Sequence, residues 1–118
     1  MRMPTPIDVQ LAWWRENQNG RVHVDGPECG YFKRRERAWS KNWLPVRISL
    51  VQEIDWETGE LMEPERFVLE AQGRRPLTDQ WEIWETWQRL RPCPMDEWKW
   101  LQARAALHGT RLLASTFE

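Results

Sequence analysis

Several things are scarce in this sequence, and each scarcity excludes something. No run of 18 apolar residues occurs, so no segment reads as a membrane-spanning helix. The opening Met1-Arg2-Met3-Pro4-Thr5-Pro6 lacks the apolar stretch of a secretory signal, and there are only two cysteines, Cys29 and Cys93. Together these predict a reducing, cytoplasmic setting. Histidine is as rare, at His23 and His108. A closed zinc site would need all four of these side chains, yet no C-x2-C or H-x3-H pair is present, so no metal or cofactor is expected. The chain also lacks G-x-S-x-G, a phosphate-binding glycine loop and H-E-x-x-H. No catalytic residues are expected, and the chain reads as a binding protein rather than an enzyme.

One tyrosine and three phenylalanines stand against ten tryptophans among the 118 residues. Tryptophan carries a large apolar surface and an N–H that seeks a partner, which suits half-wet surfaces and interfaces. A single domain of this size buries about 65% of its extended surface and needs few such side chains for its core. Trp14, Trp56, Trp84, Trp87 and Trp98 fall on faces a core would claim. Trp13, Trp39, Trp43 and Trp81 are undecided, and Trp100 lies on a stripe the core does not need.

The net charge of −1 conceals an asymmetry. Residues 1–49 hold nine Lys/Arg against five Asp/Glu, whereas residues 50–118 hold eight against thirteen. Any electrostatic function is therefore local.

The periodicity predicts an α+β domain spanning 1–118. Thr5, Pro6 and Asp8 form a helix start, and Ile7, Leu11 and Trp14 share one face of a helix over 6–17. Residues 21–25 alternate as a short strand; 31–44 fit a helix or an exposed strand. Val46, Ile48, Leu50, Ile54 and Trp56 occupy even positions of a longer strand. A hairpin through Gly59 pairs Leu50 with Phe67, Ile48 with Leu69 and Val46 with Ala71, the register that keeps both apolar faces together. Thr78 caps a helix to Leu90, the prolines of Arg91-Pro92-Cys93-Pro94 break it, and a last helix over 95–108 ends at Gly109. Both C-terminal helices are expected to pack on one face of the hairpin.

Three features are candidates for function. Glu53, Asp55, Glu57 and Glu60 form a carboxylate row on the hairpin, able to dock on a basic groove or to guard a strand edge. The last helix has two apolar stripes, of which Trp100 and Leu107 lie on the one opposite Trp98, Leu101 and Ala105. That helix is either sandwiched or offers this stripe to a partner. Lys33, Arg34, Arg35 and Arg37, followed by Trp39 and Trp43, interleave cations with aromatics, a pattern that holds single-stranded nucleic acid or forms a solvated basic face.

The stretch Arg91-Pro92-Cys93-Pro94-Met95-Asp96-Glu97-Trp98-Lys99-Trp100-Leu101-Gln102-Ala103-Arg104-Ala105-Ala106-Leu107, after the tryptophan-bearing 81–90 segment, resembles the ending of small orphan proteins of tailed phages and prophages of proteobacteria. Some phage proteins of this size are anti-CRISPR inhibitors. The resemblance implies an inhibitor that docks on a host protein, such as a CRISPR effector, and the residues offer the acidic row and Trp100 as its expected contact surface. The alternatives are a nucleic-acid-binding accessory factor using 33–43, and a virion or assembly component that forms a homo-oligomer.

Overall fold

The computed structural model describes residues 2–71 and 74–117, with side chains as far as Leu107. The expected α+β architecture is present. Two short helices, α1 (Ile7–Gln10) and α2 (Ala12–Glu16), precede β1 (Gly30–Arg35), β2 (Trp43–Val51) and β3 (Arg66–Ala71). Then come α3 (Gln80–Trp87), β4 (Arg91–Pro92) and α4 (Met95–Phe117). The four strands form an antiparallel sheet in the order β3-β2-β1-β4.

The β2–β3 pairing has the register that parity demanded, with Val46 opposite Ala71, Ile48 opposite Leu69 and Leu50 opposite Phe67. The ambiguous basic segment resolves into β1, with Phe32 opposite Val46 and Arg35 opposite Trp43. Even positions of β1 and β2 therefore feed the core of Trp14, Phe32, Val46, Ile48, Leu69, Ile83, Trp87 and Leu90. Ile83 and Trp87 bring α3 to that side. Trp98 of α4 instead meets Tyr31, with ring centroids 5.0 Å apart, and donates its Nε1–H to the Val46 carbonyl at 3.0 Å. Alternation puts Tyr31 on the opposite face from Phe32, so α3 and α4 flank the sheet rather than share one face of it.

Trp87 is the centre of the core. It is fully buried, its Nε1–H donates to the His23 carbonyl at 2.7 Å, and its ring lies 5.2 Å from Phe32 and 5.5 Å from Trp13. Residues 21–25 are consequently irregular rather than a strand: the backbone turns so that His23 presents its carbonyl to the indole. The His23 ring stays close, with Nδ1 accepting from the Asp25 N–H at 3.1 Å.

Other expectations change in detail. The first helix breaks at Leu11, and Thr5 does not cap it; the Thr5 hydroxyl donates to Glu65 at 2.7 Å. Hydrogen bonds from Gln52, then Thr5, hold the Glu65 carboxyl below its usual pKa. Asp79 rather than Thr78 caps α3, accepting from Trp81 and Glu82 N–H groups, and the helix stops at Trp87. The last helix continues past Gly109 to Phe117. Trp56, expected in the core, is 98% exposed, because β2 ends at Val51 and the period of two does not extend into the hairpin tip.

Gly26 lies against the Trp87 indole so closely that an added Cβ would overlap it. A buried ring with no exposed flank cannot give way. Gly26→Ala is expected to cost about 1–3 kcal/mol of stability through overpacking. Urea unfolding should show a lower midpoint with an unchanged slope; an unchanged midpoint would contradict this packing.

Candidate functional site

At one end of the sheet, β1 runs into a turn over 36–42. That turn is closed by hydrogen bonds from Glu36 N–H to Asn42 O at 3.0 Å and from Ser40 N–H to Arg37 O at 2.9 Å. Beside it, α3 gives way to β4, which adds to β1 by placing Arg91 opposite Lys33 and Pro92 opposite Phe32. Pro92 donates no ladder bond; the Cys93 N–H supplies one to Tyr31 O at 3.1 Å. Between these elements lies a groove of about 990 Å³.

Seven of the side chains lining it are arginines. Arg34, Arg35 and Arg37 come from β1 and the turn after it. Arg89 comes from the α3–β4 connection and Arg91 from β4, and Arg21 and Arg74 come from irregular segments. Among the described residues Glu36 is the sole carboxylate on the lining. Among the described residues, none of the seven makes an ion pair within 4.0 Å. The Arg34 Nε is buried and has no hydrogen-bond partner among the described residues. Burial lowers the pKa of Arg34, and the positive charges of Arg74 and then Arg89 lower it further. Guanidinium stays ionised even so. The groove thus concentrates positive charge that no described carboxylate neutralises.

Trp43 forms part of the wall. Three cations surround its ring, with Lys33 at 5.0 Å, Arg35 at 5.2 Å and Arg91 at 5.7 Å from the centroid. Lys33 and Arg91 oppose each other directly on neighbouring strands, where like charges repel. The indole face and the Glu97 carboxylate, 2.6 Å from Lys33 Nζ, offset that repulsion. Trp39, 77% exposed, stands on the adjoining turn with Arg37 at 5.5 Å from its ring.

Of the sequence candidates, Arg34, Arg35, Arg37 and Trp43 meet in this groove. Lys33 and Trp39 border it. The groove's other half, Arg21, Arg74, Arg89 and Arg91, escaped sequence reasoning because those residues are scattered along the chain. One signal was available: of 17 cationic residues only Lys33, Lys41 and Lys99 are lysine. Arginine's planar fork suits bidentate binding of phosphate or carboxylate, whereas lysine is a point charge.

The carboxylate row does not project from a strand face. Glu53 follows the end of β2, 3.9 Å from Arg66; Asp55 accepts from the Glu57 N–H at 2.9 Å; Glu57 and Glu60 lie on the turn beyond. Val51 and Trp43 end the same strand, so the row lies at the far end of the sheet from the basic segment and gives it no internal charge match. Trp100 is 59% exposed and Leu107 is exposed as well, while Leu101 is buried, so the helix is not sandwiched. Arg104 covers Trp100 at 5.4 Å and donates to the Asn42 side chain at 3.2 Å, tying α4 to the turn beside the groove. Burial pushes the Cys29 and Cys93 thiols up to about 12, with Glu28 and Glu97 respectively adding to the effect, so both are neutral packing groups. The His108 side chain lies outside the described residues.

No family model, no curated protein and no solved structure matches this chain.

Crowded cations without counter-charges destabilise a fold, and such local cost is typical of sites kept for function. Arg89→Gln removes a charge that bears on Arg34. Its melting temperature is expected to exceed that of the wild type in low salt, with the gap closing as salt screens the repulsion. A lower melting temperature in low salt would show that Arg89 is held by an attraction instead.

Proposed function

We propose that the chain binds nucleic acid, with single strands preferred, through the arginine-lined groove. The observation that carries this reading is the convergence of seven arginines on one groove with a single carboxylate among the lining residues. A repeating phosphate backbone is the ligand whose charges match such a row, and arginine binds each phosphate in a fork. The preference for single strands rests on Trp39 and Trp43. Unpaired bases stack on indoles at the edge of a basic channel, and a duplex hides those faces. Phosphate contacts and stacking carry little sequence information, so the affinity is expected to depend weakly on sequence.

The acidic row does not single out a host protein, because carboxylates around an indole suit any basic surface. The groove is the more specific feature.

Fluorescence anisotropy with labelled single- and double-stranded oligonucleotides tests the proposal. Binding should weaken steeply as salt rises, following the number of phosphates neutralised. Arg35→Ala and Arg91→Ala should each weaken binding and reduce the salt slope by about 1. Trp39→Ala should reduce the preference for single strands over duplex, since stacking is worth about 1–3 kcal/mol per base. No binding to either probe at low salt would overturn the proposal.

A further inference from the structure

The acidic end of the molecule is a second built surface, which nucleic-acid binding does not use. Beyond Val51 the chain folds into a fixed tip. Asp55 N–H donates to Glu60 O, Gly59 N–H to Asp55 O and Met62 N–H to Glu53 O, each at 2.8 Å. Ile54 bridges Leu61, and Gly59 takes the positive φ of 75° that the turn requires. The tip therefore presents its side chains in a set geometry instead of letting them collapse. Trp56 is 98% exposed there, between Asp55 and Glu57 and close in sequence to Glu60 and Glu63. Among the described residues Glu57, Glu60 and Glu63 join no ion pair. A bare indole on a turn whose Glu57, Glu60 and Glu63 join no ion pair among the described residues is an unsatisfied surface, and tryptophan is a frequent anchor of interfaces.

The same molecule carries the complement. The groove lining sets one carboxylate against seven arginines, and the tip is mostly carboxylates, with Arg66 near Glu53 and Arg2 bonded through its carbonyl to Leu61. The groove offers guanidinium groups that an indole face attracts, and the tip offers the indole. At about 990 Å³ the groove has room for a tryptophan and the carboxylates beside it. One chain cannot satisfy itself. Trp43 in the groove wall and Val51 below the tip are the two ends of one nine-residue strand, which spans about 30 Å.

We propose that the Trp56 tip of one copy docks in the arginine groove of a second copy, head to tail. The contact is heterologous, so a pair keeps one free tip on one copy and one free groove on the other, and assembly continues unless the rotation closes a ring. The groove's two occupants, tip and polyanion, exclude each other. Self-association would then hold the groove closed until a nucleic acid displaces the tip. The proposal rests on the groove as an anion site and stands whether or not nucleic acid is its other ligand.

Sedimentation velocity on nucleic-acid-free full-length protein tests it. At low salt the average mass should rise with concentration above that of the 14.3 kDa monomer, and it should return to that of the monomer in high salt. A tip variant, Trp56→Ala with Glu57→Lys, and a groove variant, Arg35→Glu with Arg89→Glu, should each stay monomeric. Mixed in equal amounts they should form a dimer and nothing larger, because one supplies only a groove and the other only a tip. Circular dichroism checks that both are folded, and Arg35→Gln with Arg89→Gln replaces the charge-reversed groove variant if it is not. A short single-stranded oligonucleotide should dissolve the wild-type assembly. If that oligonucleotide fails to bind while assembly persists, the nucleic-acid proposal falls and this one remains. A wild-type protein that stays monomeric at low salt overturns head-to-tail docking. So does a tip variant that assembles like wild type, which would assign the contact to the Trp100 and Leu107 stripe. A mixture without dimer, or an oligonucleotide that binds without dissolving the assembly, overturns it as well.

Discussion

The buried Trp87 indole is the contact on which the rest of the structure depends. Its N–H fixes the carbonyl of His23, its edge meets Phe32 at the middle of β1, and Gly26 closes against it. Three stretches remote in sequence are joined at one side chain. That junction also builds the groove. Arg21 lies two residues before His23, Arg89 two residues after Trp87, and Arg34 two residues after Phe32. The hydrogen bond and the ring contact that secure the core therefore bring three cations together as a by-product of chain connectivity. Packing free energy in the core holds the charges where their mutual repulsion would otherwise part them.

The repulsion is moderated in particular ways. Lys33 is paired with Glu97 of α4, and the Trp43 ring lies among three cations. Arg34 has no such relief among the described residues: its Nε is buried without a partner there, and the charges that bear on it are those of Arg74 and Arg89. A buried donor left unpaired costs roughly 1–3 kcal/mol, a cost that an incoming anionic oxygen would remove. At the other end of β2, the hairpin tip shows the opposite imbalance, an excess of carboxylates on the turn that carries the exposed Trp56. The near-zero net charge of the chain is thus two local excesses set a strand's length apart.

The parts of the fold legible in the sequence were those governed by a single period. Val46, Ile48 and Leu50 alternate against Phe67, Leu69 and Ala71, and a slip of one residue would have exposed both sets, so the register was determined. β1 was obscured because its inward Phe32 and Arg34 differ in polarity, and because Phe32, Trp39 and Trp43 are spaced as on a helix while the basic run between them suits an exposed strand equally well. β4 was hidden by Pro92, which reads as a breaker; two residues pair only because β1 has a free edge beside them. Trp56 was misplaced because alternation was extended beyond the last paired residue of β2. For the groove, Arg34, Arg35 and Arg37 stood together in the sequence. Arg21, Arg74, Arg89 and Arg91 reach it through tertiary packing that no local pattern encodes. Trp100 was read as exposed because its stripe opposes Leu101 on one helix, a relation fixed by 3.6 residues per turn.

The central claim is that the arginine groove is built for an anionic ligand it does not supply itself. Arginine side-chain Nε–Hε resonances in nitrogen–proton correlation spectra, followed during titration with a short single-stranded oligonucleotide, test that claim most directly. The account predicts that the Arg34 Nε–Hε signal moves most, together with those of Arg89 and Arg91, while Arg15 and Arg66 stay in place. An oligonucleotide that binds while the Arg34 signal remains unmoved would contradict it.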